Sequence, residues 1–319
     1  MLLLTKSAEW SILFGKGVVA VAVILEQLFI LYAFLFCGWL FGKKNPNLTG
    51  QTGVLSFVMV NLLYPAKVLG AFSKNFTVEY LTNNYTTVLI AVGLLLLLHF
   101  VAKLPARFLK RDDFEKQVYE YSITISNYAY MGYALVESVF GTQAMTDLIL
   151  FCMPFSMYTY SVGYMKLTGK GIQMKRLINP LTCALLLGMA IGLSGLQLPQ
   201  MVTQFLSVSG ACVGPVGMLL TGFTLASFSF RDLLGDIRVY ILVALRLIGI
   251  PLMVYAIFQL PFLTAALPCA VMMAAMPTGL NTIVFPKSAG KSPALGARMA
   301  FISHLASLAT LPFWLSLLQ

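Results

Sequence analysis

The sequence predicts an all-α integral membrane protein of ten transmembrane helices, built as two inverted five-helix repeats. Three observations carry that prediction: a composition too apolar for a water-facing surface, ten apolar runs of bilayer length, and basic residues gathered in alternate loops. Of the 319 residues, 59% are hydrophobic and only 10% charged, against about 45–50% and about 25% in an ordinary soluble domain. The 21 basic and 11 acidic side chains are too few to cover a globule of this size, which excludes a soluble enzyme. A net charge of +10 would suggest nucleic acid in a soluble chain, but here the basic residues sit in short loops and read as topology. No nucleic-acid partner is expected.

A hydrocarbon core about 30 Å thick takes about 20 apolar residues per helix. Runs of that length lie at residues 18–41, 53–72, 84–104, 118–140, 143–167, 179–196, 200–228, 239–260, 263–284 and 294–318. None has the short alternating segments of a membrane barrel. The stretch before them reads as an interfacial lead-in and not as a signal peptide, because its apolar start precedes Lys6 and no small-residue cleavage site follows.

The odd-to-even loops hold Lys43, Lys44, Lys103, Arg107, Lys110, Arg111 and Lys116 in the first half of the chain. Lys166, Lys170, Lys175, Arg176, Arg231, Arg238, Lys287, Lys291 and Arg298 follow. Only Lys6, Lys16 and Lys74 fall on the opposite side. The imbalance puts the odd-to-even loops in the cytoplasm and both termini outside a cell membrane. Cys37, Cys152, Cys183, Cys212 and Cys269 lie in apolar runs without CxxC spacing and read as small hydrophobes.

The halves, residues 1–167 and 168–319, share features at an offset of about 150. Pro65 matches Pro215, Gly141 matches Gly290, and Pro154 stands where His304 stands. Five spans per half is odd, so the second half enters the membrane in the opposite sense. That inverted repeat is a signature of secondary transporters, whose sites lie at corresponding broken helices.

Span 9 reads MMAAMPTGLNTIVFPKSAG. Pro277 removes a backbone donor, Thr278 and Gly279 follow it, and Asn281 supplies an amide at mid-membrane. Span 4 reads ITISNYAYMGYALVESVFG, where Ser126, Asn127 and Gly132 form a softer interruption without proline. In lipid such breaks survive only inside protein or beside a water-filled cavity. If both spans unwind and cross, the N-termini of their second halves point at the bilayer centre. Their orphan amides and partial positive charge suit a carboxylate. The blander alternative is a pair of kinks whose asparagines bond across helices.

Each ionisable group at depth costs at least about 2.5–3.5 kcal/mol and needs a reason. Lys67, beside Pro65, either faces the substrate as a counter-charge, snorkels outward or pairs with an acid. Glu137 is either a proton-coupling carboxylate or the partner of Lys67. Arg246 either holds helices together or takes the place of a bound cation. His99 and His304 are single histidines, each a packing residue or a proton shuttle. Glu26 is at a depth that water reaches, and Glu120 pairs with the basic loop.

The segments SNYAYMGYALVESVFG, RLINPLTCALLLGMAIGLSGLQLP, GPVGMLLTGFTLASF and AAMPTGLNTIVFPKSAG, with ALGARMAFISHLASLATLPFWLSLL after them, resemble the auxin efflux carrier family. That family includes plant PIN carriers and bacterial malate permease-like proteins, and the resemblance runs from about Glu26 to Leu318. It implies a fold like that of the bile-acid/sodium symporters, with spans 1, 2, 6 and 7 as scaffold and spans 3–5 and 8–10 as a moving transport domain. Asn127, Pro277 and Asn281 fall on the crossover motifs. The short central linker, Gly169 to Leu177, is similar to that of bacterial members. Ala134 stands where the family has a span 4 proline, and Lys67 where it has an apolar residue.

Soluble-enzyme motifs are absent: no HExxH, GxSxG, Walker loop or GxGxxG. The expectation is therefore a secondary or facilitative transporter of a small organic anion, a carboxylate, with no enzymatic activity, cofactor or metal. Substrate contacts are expected from Asn127, Asn281, Pro277, Ser126, Thr278, Gly132 and Lys67, and proton or ion coupling from Glu137, Arg246 and His304. The alternative is a sodium-coupled symporter of the bile-acid type. Expected partners are the anion, a coupling proton or sodium ion, the bilayer and a second copy of the chain.

Overall fold

A computed structural model of the chain describes residues 16–47, 52–171 and 177–318. The lead-in around Lys6 and the loop bases Lys175 and Arg176 lie outside the described residues. Among the described residues the chain is helical, with one isolated bridge and no strand. The helices are α1 (Lys16–Lys44), α2 (Thr52–Asn75), α3 (Val78–Val101), α4 (Asp113–Thr124) and α5 (Tyr128–Thr168). They continue as α6 (Pro180–Ser194), α7 (Gln200–Ala226), α8 (Ile237–Ile257), α9 (Leu267–Ala275), α10 (Asn281–Ser288) and α11 (Ala294–Ser316).

Helix starts fall where the sequence offers side-chain acceptors for orphan amides. Thr77 accepts from the Tyr80 amide (3.1 Å), Asp112 from Glu115 (2.7 Å), and Asn179, followed by Pro180, from Thr182 (3.1 Å). Seven segments are long and apolar enough to cross a membrane, against the ten expected. The shortfall has a local cause in each case. The 41-residue α5 holds the end of expected span 4 and all of span 5. It is divided at Gly141, whose φ of +88° only glycine adopts without strain. α6 is apolar but only 15 residues long. Span 9 is interrupted between α9 and α10.

The tightest packing joins α1 to the second half of α7 and α6 to the second half of α2. Small residues allow it. A Cβ on Gly38 of α1 would run into the backbone of Leu219, and one on Gly188 of α6 would meet Leu69 and Phe72. Away from this group, α3 packs on α5, α8 on α9, and α11 on α10. α2 and α7 are each interrupted near their prolines, α2 by a π-turn at Met59–Leu63 and α7 by a turn at Cys212.

The expected basic loops come together. Asp236, 4% exposed, takes ion pairs from Arg238 (2.7 Å), Arg298 (3.6 Å) and Arg111 (3.8 Å), and Arg238 also reaches Glu115 (3.2 Å). The hydrogen bonds from Arg238 hold the Asp236 carboxyl below the usual carboxylate range. Glu120 pairs with Lys166 (2.5 Å) and Lys116 (3.6 Å) on the same face.

Candidate functional site

α4 ends at Thr124, and Ile125 continues in an extended conformation (φ −115°, ψ 128°). α9 ends likewise at Ala275, with Met276 extended (φ −67°, ψ 147°). The two interruptions cross: Ser126 and Thr278 form an antiparallel bridge, and the Asn127 amide donates to the Pro277 carbonyl at 2.7 Å. A β-type bridge between two broken helices satisfies backbone groups that lipid could not. Proline fits in the second interruption because the bond uses its carbonyl. In the first interruption no proline is needed: the chain rewinds through a π-turn, Tyr128–Gly132, in which the amides of Met131 (3.3 Å) and Gly132 (3.1 Å) both donate to the Asn127 carbonyl.

Polar side chains brace the crossing. The Ser126 hydroxyl donates to the Met273 carbonyl (2.8 Å), and the Ser303 hydroxyl accepts from the Thr278 amide (3.0 Å). The Asn127 amide nitrogen meets His304 Nε2 at 3.1 Å, and Asn281 Nδ2 donates to the Tyr121 hydroxyl at 3.2 Å. Ser126, Asn127, Gly279, Leu280 and Asn281 line a cavity of about 50 Å³. That is room for a few waters or one carboxylate group. Its other walls combine tyrosines and hydroxyls, Tyr64, Tyr128, Tyr130, Ser156, Thr159 and Tyr160, with the aliphatic Val60, Ile125, Ala129 and Leu181. α10 begins here: Asn281, its first residue, borders the cavity.

The residues singled out from the sequence thus divide. Ser126, Asn127 and Asn281 border the cavity. Pro277 and Thr278 build the crossing behind them, and buried Gly132 leaves space beside Met276. His304 lies behind Asn127. Arg246, fully buried on a π-turn of α8, donates from Nη1 to the Ala274 carbonyl (2.8 Å), at the negative end of α9. Lys67 and Glu137 are elsewhere: they pair with each other in a second cavity of about 310 Å³, shared with Lys74 and Thr203. His99 bonds the Tyr158 hydroxyl (3.0 Å) in the contact of α3 with α5. The sequence reasoning missed the tyrosine shell. Tyr128 and Tyr130 stand inside the span 4 interruption, and that position was their available signal.

An all-helical, multi-pass membrane protein with two broken helices crossing beside a small polar cavity belongs to the class of membrane transport proteins. Comparison with protein families narrows this. The family described as "Membrane transport protein" matches residues 23–176 and 169–315. The chain belongs to that family, the auxin efflux carriers. Among curated proteins, none matches the chain.

Proposed function

We propose that the chain moves a small organic anion, a carboxylate, across the membrane by alternating access at the crossing of the broken helices. The observation that carries the reading is the Ser126–Thr278 bridge, which holds two helix interruptions together at a polar cavity. The start of α10 and the hydroxyl groups of the cavity wall supply donors there without a full opposing charge, which suits an anion that must also leave.

The proposal includes ten crossings in two inverted repeats, 1–167 and 168–319. The close helix contacts support it: Gly38 against Leu219 and Gly188 against Leu69. Positions 38 and 188, and likewise 69 and 219, stand 150 residues apart, so a pseudo-two-fold axis exchanges one contact for the other. Gly141 and Gly290, the matched chain reversals, both have positive φ (+88° and +72°). On this reading α1, α2, α6 and α7 are the scaffold and the remaining helices move. The Lys67–Glu137 pair then links scaffold to transport domain on the face away from the basic loops, which we assign to the cytoplasm. The termini lie on the opposite side.

Protein reconstituted in liposomes should lose carboxylate flux when Asn127 and Asn281 both become alanine, while the variant still folds. Flux equal to wild type rejects the site. A sodium-coupled reading requires a cation near the crossing, and the carbonyl end of α9 already receives the Arg246 guanidinium. Equal uptake in sodium and choline buffers is therefore expected.

A further inference from the structure

The imidazole behind the crossing has a protonation state fixed by its neighbours. His304 Nδ1 lies 2.7 Å from the Ala300 carbonyl, which can only accept, so Nδ1 carries a hydrogen. Nε2 of the neutral ring is then an acceptor, and the atom it meets is the Asn127 amide nitrogen at 3.1 Å. With its NH₂ turned to the imidazole, the Asn127 carboxamide directs its oxygen away from it. Asn127 itself borders the cavity. An oxygen offered to the cavity repels a carboxylate, whereas an NH₂ binds one.

We propose that His304 is a proton-binding site that switches Asn127 between these two faces, coupling one proton to one anion. A proton taken from water onto Nε2 makes that atom a donor. It then requires an acceptor, which Asn127 supplies by rotating its carboxamide half a turn. The NH₂ so released faces the cavity and binds the carboxylate. The imidazolium and the anion therefore stabilise each other, and each raises the affinity for the other by the same factor. The proton leaves to water when the anion does.

Nothing else near the ring competes for this role. α11 itself presents Ser303 and Ser307, and α1 presents Tyr32, whose hydroxyl donates to the His304 carbonyl (2.6 Å). On α8, Arg246 is turned to Ala274 of α9; on α4, Tyr121 meets Asn281; on α10, Lys287 is exposed. Asp232, in the short helix beside α11, bonds Ser229. Among the described residues no charged side chain forms an ion pair with the imidazole.

The inference rests on the anion-transport reading, and the test separates the two. The chain has two histidines, so His99→Gln leaves a single ¹⁵N-labelled imidazole in the full-length protein. In micelles at alkaline pH its spectrum should report the Nδ1–H tautomer. Adding sodium acetate at fixed pH should raise the ratio of imidazolium to neutral ring about fivefold or more, with sodium chloride inert. His304→Gln, whose side-chain oxygen keeps the acceptor, should remove the pH dependence of the acetate-induced shift in melting temperature. An Nε2–H tautomer overturns the proposal, as does a thermal shift by acetate with no change at the imidazole. Absence of both acetate effects overturns it together with the carboxylate reading.

Discussion

Lys67 and Glu137 show how a membrane interior tolerates charge at the level of single residues. The lysine side chain is 4% exposed and has two partners, the Glu137 carboxylate and, at 3.4 Å, the Gly210 carbonyl. Removing the negative charge leaves a buried ammonium with only neutral acceptors. Glu137→Gln should therefore lower stability by about 1.5–3 kcal/mol, and Lys67→Met combined with Glu137→Leu should recover most of the loss; thermal unfolding in detergent reads both. Asp236 makes the second case. Its folded carboxyl titrates below the unfolded value of about 3.9, so its stabilisation is present above that pH and is lost as pH falls through the folded value. The melting temperatures of wild type and Asp236→Asn should differ at neutral pH and converge in acid.

At the scale of helices, the contacts of α1 with α7 and of α6 with α2 depend on missing side chains. Gly38→Ala and Gly188→Ala each force a Cβ into a neighbouring helix and should cost about 1–3 kcal/mol. Gly93→Ala is the control, because nothing lies within 4 Å of its added Cβ and alanine is the better helix former by about 1 kcal/mol. Equal effects at all three positions in thermal unfolding would contradict a packing origin.

For the whole molecule, the proposed mechanism has the group holding α3–α5 and α8–α11 move against α1, α2, α6 and α7. The Lys67–Glu137 pair crosses between these groups. Cysteines at positions 67 and 137, in a chain whose five native cysteines are replaced, should stop flux when bridged by a short cross-linker and release it on reduction. Flux that survives complete cross-linking would show that the groups need not separate there.

Much of this is legible in one dimension because lipid makes the constraints local. Length, hydropathy and loop charge declare an all-helical membrane protein, and Pro277 marks a broken helix by removing a donor within its own sequence. The interruption at Ser126 and Asn127 is readable for a related reason, since small polar residues rarely sit in an apolar run without a partner. The identity of each partner is another matter. That Asn127 meets His304, 177 residues away, that Arg246 caps α9, and that four tyrosines from two helices enclose the cavity depend on which faces the helices turn to one another. Helix formation is decided by the residues of each segment alone, whereas side-chain pairing is decided by packing between segments distant in the chain, and only the tertiary structure fixes that.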